Sequence, residues 1–250
     1  MGRKSLIKPD RQRPNSWTTF KENIANLIIE ALMLLRQRDD LVKDERILNR
    51  LLQNCFVEAN AKLRLDYIPA PEAKNSPHPE DKQKAKRENN MPDLSWNIMD
   101  HEASYRDWNR NFVLECKRLG MKTSKDWIPT EQYVIAGILR FFQEEKGYGK
   151  GCETGAMVAY VQDMELEEIL SEVNTHLSKN EPSIPLLVFP SIGWQQQGVS
   201  RLHHTFSRSY IPFIFSLQHF WIDMKDCLYL PSSLDTQEIS NKDEEIVTKL

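Results

Sequence analysis

Two short groups of residues hold the side chains best placed for chemistry in this sequence, Pro92-Asp93 and Glu115-Cys116-Lys117. Glu115 and Lys117 are two positions apart, and such positions point to the same face of a strand. The three apolar residues just before Glu115 favour a strand there. Because a carboxylate and an amine at a strand end are costly to bury without a polar partner, the pattern indicates a hydrated divalent cation.

Asp93 supplies a second carboxylate. It precedes a segment in which Leu94, Trp96 and Ile98 alternate with polar residues, as in a half-buried strand. This segment is expected to form a hairpin with residues 111–117. Two carboxylates from neighbouring strands suit Mg²⁺, which takes oxygen ligands and keeps several waters. Such an ion binds a phosphodiester oxygen and lowers the pKa of a bound water. Lys117 would orient that water or oppose the negative charge that develops on the phosphate.

This set of residues resembles the motif of the PD-(D/E)XK nuclease superfamily, in its ExK form, over about residues 43–224. The resemblance implies a central mixed sheet flanked by helices and hydrolysis of DNA that leaves a 5′-phosphate. It also implies Mg²⁺, or Mn²⁺ in its place, bound by Asp93, Glu115 and the backbone carbonyl of Cys116. A glutamate from the preceding helix would join the catalytic residues Asp93, Glu115 and Lys117. Glu45 and Glu58 are both candidates, and Glu45, which opens that helix, is favoured.

The predicted function is hydrolysis of DNA in restriction or anti-phage defence, the latter by analogy with stand-alone members of the superfamily. A homodimer is expected, because cutting both strands with one site per chain needs two chains. Two alternatives are a non-catalytic nuclease-like subunit that binds nucleic acid or a partner protein, and a nuclease that acts on RNA. The motif itself has a simpler interpretation, in which Asp93 is a turn residue and Glu115 to Lys117 an exposed strand end.

The elements that would position these residues predict an α/β domain, with a short central mixed β-sheet flanked by helices. Apolar residues recur at helical spacing from residue 17 to about 38 and from Asp44 to Leu65. Two further helices are predicted over residues 130–142 and 164–178. Strands are predicted over residues 94–98, 111–117, 156–161, 184–189 and 211–222, and the glycine-rich stretch 147–151 is interpreted as a turn.

Composition suggests three parts. Residues 1–42 are interpreted as a flexible lead and a helix that docks a regulatory protein. Residues 43–225 form the nuclease domain, interrupted by a polar, proline-containing loop at 69–90. Residues 226–250 form an acidic tail with six acidic residues and two lysines. The net charge of −3 neither supports nor excludes a nuclease, since only the binding groove must be positive.

The remaining signals concern location and nucleic-acid contacts. No membrane span or secretory signal is predicted, and four dispersed cysteines favour a reducing, cytoplasmic setting. Arg201, His204 and Arg208 are candidate DNA contacts; the alternative is a polar loop before the last strand. Arg140 is expected either to line the groove or simply to place a favourable cation at a helix C-terminus.

Overall fold

The computed structural model describes residues 17–74, 87–99, 109–122, 124, 127–149, 152–190 and 193–227. Two long helices begin the fold, α1 (Trp17–Arg36) and α2 (Glu45–Leu63). Asp44 is the N-cap of α2, and its side chain accepts hydrogen bonds from the backbone N–H groups of Arg46 and Ile47. This cap satisfies two donors that the helix itself leaves unpaired, and so fixes the start of α2. Both helices agree with the sequence prediction to within two residues.

Six strands form one mixed sheet in the order β1-β2-β3-β4-β6-β5. Three of them, β3, β4 and β6, run parallel in the centre. The hairpin β2–β3 and the pairs β1–β2 and β5–β6 are antiparallel. The predicted mixed sheet is therefore confirmed. Its strands are β1 (Ala70–Pro71), β2 (Leu94–Met99), β3 (Asn109–Leu119), β4 (Thr154–Val161), β5 (Val199–Ser207) and β6 (Ile214–Asp223).

The helices lie on both faces of this sheet, as expected. On one face, α1 and α2 form a core with Leu114 and Cys116 of β3. On the other face, Val113 and Leu119 join a second core with the helices that follow β3. Because side chains alternate along a strand, Glu115 and Lys117 point to this second face. Every residue of β4, between the two cores, is buried.

The second face is covered by α3 (Pro129–Tyr133), a π-helical turn (Val134–Ile138), α4 (Leu139–Phe142) and α5 (Leu166–Asn180). Gly137, in the π-helical turn, lies directly against the sheet. A Cβ atom there would collide with Cε of Met157 and would lie 3.6 Å from Cγ of Lys117. The absence of a side chain thus lets this interrupted helix lie close to Lys117.

Three predicted segments differ from the structure. Residues 184–189 form no strand; instead, the Asn174 side chain bonds both the N–H and the C=O of Leu187, as a neighbouring strand would. Residues 200–210, expected as a polar loop or a phosphate-contacting surface, belong for the most part to the strand β5 at the sheet edge. The polar stretch 69–90 contributes β1 and includes the buried Arg87, and its residues 75–86 lie outside the described residues.

Part of the predicted docking segment packs inside the domain. Helix α1 buries eight residues, among them Phe20, Ile28 and Leu35, in the same core as α2 and the sheet. The apolar stripe of α1 therefore packs within the domain, and docking of a partner protein by residues 1–42 stays a prediction. The lead 1–16 and most of the acidic tail, residues 228–250, lie outside the described residues. Among the described residues, no helix combines the length and apolar character needed to cross a membrane.

Candidate active site

Three carboxylates from separate parts of the chain meet at Lys117. Its Nζ lies 3.2 Å from Oε1 of Glu45, 3.0 Å from Oε1 of Glu115 and 3.8 Å from Oδ2 of Asp93. Glu45 is the first residue of α2, Asp93 directly precedes β2, and Glu115 and Lys117 belong to β3. The structure thus brings together all four residues that the sequence predicts as catalytic.

The hairpin register explains how Asp93 reaches the site. Leu94 pairs with Leu114, so Asp93, one residue earlier, lies opposite Glu115 on the neighbouring strand. Asp93 Oδ2 accepts a hydrogen bond of 2.7 Å from the backbone N–H of Cys116, and this bond fixes the carboxylate at the strand. The site lies toward the carboxyl end of β3, where β3 runs parallel to β4, and α/β sheets usually place their ligands at such ends.

Glu45, rather than Glu58, is the glutamate of α2 that reaches the site. Glu45 Oε1 lies beside Lys117, and Oε2 accepts a hydrogen bond of 3.2 Å from the backbone N–H of Arg118. Glu58 is exposed and lies thirteen residues further along α2, a rise of about 20 Å. Helical periodicity left both glutamates open, and the contact of the α2 N-terminus with β3 decides between them.

Glu115 is the most buried carboxylate of the site, with only 1% of its surface exposed. Its Oε1 accepts a hydrogen bond of 2.6 Å from Arg140 and forms an ion pair with Lys117 Nζ at 3.0 Å. Its Oε2 is buried and has no hydrogen-bond partner among the described residues. Burial, followed by the charge of Asp93, raises the pKa of Glu115 to about 7, although Lys117 and Arg140 oppose the rise. The cations Lys117 and Arg140 therefore offset only part of the cost of burying the ionised Glu115 carboxylate.

Burial and neighbouring charges also shift the pKa values of Asp93 and Lys117. Burial raises the pKa of Asp93, while Lys117 and the N–H of Cys116 act in the opposite direction. Burial by itself would lower the pKa of Lys117, but Glu115, Asp93 and Glu45 together raise it above its ordinary value. Lys117 is thus a charged ammonium at neutral pH. It can donate hydrogen bonds and oppose negative charge, and it is not a base.

The residues expected to bind a metal ion have suitable chemistry for Mg²⁺. Asp93, Glu115 and the Cys116 carbonyl provide only oxygen atoms, and Oε2 of Glu115 lacks another partner. The Cys116 carbonyl accepts a hydrogen bond of 2.7 Å from Lys117 Nζ. Among the described residues, no three His, Cys, Asp or Glu side chains form a group that would hold a metal. This is compatible with Mg²⁺, which uses one or two carboxylates and completes its shell with water.

Arg140 and Tyr148 complete the site. Arg140 Nη1 donates to Oε1 of Glu115 at 2.6 Å and to the hydroxyl of Tyr148 at 3.3 Å. The sequence suggested Arg140 only as a groove residue or a helix-end cation, and it placed Tyr148 in a turn. No spacing rule links either residue to Glu115. They reach it because the interrupted helix packs across the face of β3 and β4.

Two of the three candidate DNA contacts are buried, which corrects that prediction. Arg208 is 5% exposed, and its guanidinium donates to the backbone carbonyls of Pro212, Phe141, Tyr148 and Gly149. His204 is 2% exposed, bonds the Pro185 carbonyl and lies beside the buried His219, and burial lowers its pKa. Both residues hold the fold together. Arg201 is exposed on the edge strand β5, three strands away from Glu115.

Comparisons of the chain with protein-family models, with curated proteins and with solved structures give no match.

Proposed function

We propose that this protein is a metal-dependent nuclease that hydrolyses DNA phosphodiester bonds. One observation carries the proposal. Glu45, Asp93 and Glu115, from three elements, converge on the single ammonium of Lys117. A structural ion-pair cluster balances its charges, whereas this site places three carboxylates around two cations, Lys117 and Arg140, and leaves the buried Oε2 of Glu115 without a hydrogen-bond partner among the described residues. Such an excess of negative charge is typical of a site that binds a cation.

In this proposal, Asp93, Glu115 and the carbonyl of Cys116 hold Mg²⁺ or Mn²⁺, which supplies Lewis-acid activation of water and of the phosphate. Lys117 donates hydrogen bonds toward the attacking water or the phosphate oxygens, because its raised pKa keeps it charged. Glu45 holds Lys117 in position and also accepts from the N–H of Arg118, which ties the start of α2 to β3. The burial of Glu115 limits the access of bulk water.

We extend the proposal to the fold and to the biological role. The mixed sheet, with Asp93 and Glu115 on one antiparallel hairpin and helices on both faces, supports a restriction-endonuclease-like core. A role in restriction or anti-phage defence follows from the resemblance alone. It predicts that expression of the chain lowers phage plating and that Asp93→Ala abolishes this protection. A homodimer would be needed to cut both strands, and it would be detected in sedimentation as a mass twice that of the chain.

The decisive experiment is cleavage of plasmid and linear DNA with Mg²⁺ or Mn²⁺, with RNA as a parallel substrate. Asp93→Ala and Lys117→Ala should each lower the rate by at least about a hundredfold. Glu58→Gln, an exposed change on α2, is the control and should leave the rate unchanged. Cleavage that survives both active-site substitutions would refute the proposal. Preferential cleavage of RNA would keep the chemistry and change the substrate.

A further inference from the structure

Arg140 has N–H donors that no group among the described residues accepts. Its contacts within the described residues, to Glu115 and Tyr148, are both made by Nη1. Nη2 and Nε have no hydrogen-bond partner among those residues. About a third of the side chain is exposed, 32%, whereas Glu115 beneath it is 1% exposed. Arg140 therefore lies between the buried carboxylate and the solvent, with part of a planar donor group unoccupied.

The orientation of this guanidinium is fixed. Its Nη1 lies between Oε1 of Glu115 and the hydroxyl of Tyr148, and its Cζ lies 5.8 Å from the centre of the Tyr148 ring. Tyr148 is itself buried, with 1% of its surface exposed. An arginine held on one side in this way keeps its remaining N–H groups in a constant direction. Such a fork matches the geometry of two phosphate oxygens.

The charge balance favours an anionic ligand once a cation is present. When all three are ionised, Glu45, Asp93 and Glu115 contribute three negative charges, and Lys117 and Arg140 contribute two positive charges. A divalent cation would give these five side chains a net charge of +1. A phosphodiester carries the opposite charge, so the completed site attracts one phosphate of the substrate.

We propose that Arg140 is the residue of this chain that binds the substrate phosphate at the site, through Nη2 and Nε, while Nη1 remains on Glu115. This inference rests on the proposed nuclease function and adds to it a contact that positions the DNA backbone. Tyr148 acts as a positioning residue, because it touches Arg140 and not the phosphate. Contacts to phosphate fix the register of a nucleic acid without reading its sequence, so Arg140 contributes affinity and no base preference.

The test is the salt dependence of binding to a fluorescein-labelled DNA duplex, followed by anisotropy in EDTA and again with Ca²⁺. Arg140→Gln should weaken binding about tenfold and reduce the slope of log K against log salt by about one. Arg140→Lys keeps the charge and should retain the slope, although it loses the fork. Tyr148→Phe should weaken binding less than Arg140→Gln. Arg50→Gln, an exposed arginine on α2, is the matched control and should match the wild type.

The outcomes separate this inference from the proposed function. One outcome is that Arg140→Gln binds DNA with the affinity and salt slope of the wild type, at an unchanged melting temperature. That result would overturn the phosphate-binding role of Arg140 and would not affect the proposed nuclease function. Arg140→Lys with the reduced slope of Arg140→Gln would also overturn it, because the charge alone should preserve the slope. A wild type that binds DNA with the expected Arg140 effect, but never cleaves it, would refute the nuclease and support a DNA-binding protein. A wild type that binds no DNA would refute both the role of Arg140 in DNA binding and DNA as the substrate.

Discussion

Replacing Glu115 with glutamine should stabilise the metal-free protein at neutral and alkaline pH. Burial and the charge of Asp93 raise the pKa of this carboxyl from 4.5 to about 7, so the folded protein opposes its ionisation. At about 1.4 kcal/mol for each pKa unit, the ionised form costs about 3 kcal/mol of folding free energy. Glutamine has the shape of the protonated acid and avoids this cost.

The sign of the pH dependence follows from linkage. The folded protein holds the Glu115 proton more tightly than the unfolded chain does, so stability falls as pH rises from about 4.5 to about 7. Below this range both proteins have a neutral side chain at residue 115, and they should be equally stable. Above about pH 7 the variant should be more stable than the wild type by the full amount of about 3 kcal/mol. In a domain of this size, about 3 kcal/mol corresponds to a rise in Tm of roughly 6 to 12 °C.

The assay is urea unfolding of wild type and Glu115→Gln in EDTA, at about pH 4 and about pH 8. The informative quantity is the difference in unfolding free energy between the two proteins, because every other titrating group contributes nearly equally to both. Mg²⁺ should then raise the Tm of the wild type at the higher pH more than that of the variant, since the variant keeps Asp93 but lacks the second carboxylate ligand. A variant less stable than the wild type at about pH 8 would refute the reasoning. The ion pairs with Arg140 and Lys117 would then outweigh the cost of burial.

Three further changes test other parts of the structure. Glu45→Gln should lower the cleavage rate at least tenfold, by about 1.4 kcal/mol or more, whereas Glu58→Gln should not; equal effects would exclude a special role for the start of α2. Arg208→Ala should destabilise the fold by about 3 kcal/mol in urea unfolding, because several buried carbonyls lose their donor, while Arg201→Ala should change stability by less than about 0.5 kcal/mol. A larger loss of stability in Arg201→Ala than in Arg208→Ala would contradict the buried, structural role of Arg208. Asp44→Ala should cost about 1 kcal/mol through loss of the α2 N-cap, and no measurable cost would show that this cap is dispensable.

The sequence by itself determined the elements that carry strong periodicity. The spacing of apolar residues located α1 and α2, and the alternation after Asp93 located β2. The ExK pattern also placed Glu115 and Lys117 on one face of a strand, because the period of a strand is two residues whatever its neighbours are. These features are local, and local rules are sufficient for them.

Tertiary structure decided which distant residues meet. Arg208 and His204 lie in a polar stretch that resembles a surface, and only the pairing of β5 with β6 and the packing beneath it bury them. Residues 184–189 have the apolar character of a strand, yet Asn174 provides their hydrogen bonds and no strand forms. A sequence pattern cannot distinguish these cases, because burial and hydrogen-bond partners come from elements far away in the chain.

The candidate site shows the same division. Its three central residues, Asp93, Glu115 and Lys117, follow from one hairpin and one strand period, so the sequence was enough to select them. The choice of Glu45 over Glu58 needed the contact between the α2 N-terminus and β3. The presence of Arg140 needed the interrupted helix to lie flat on the sheet, which the absence of a side chain at Gly137 allows. Chemistry encoded in neighbouring residues is visible in the sequence, and chemistry assembled by packing is visible only in the fold.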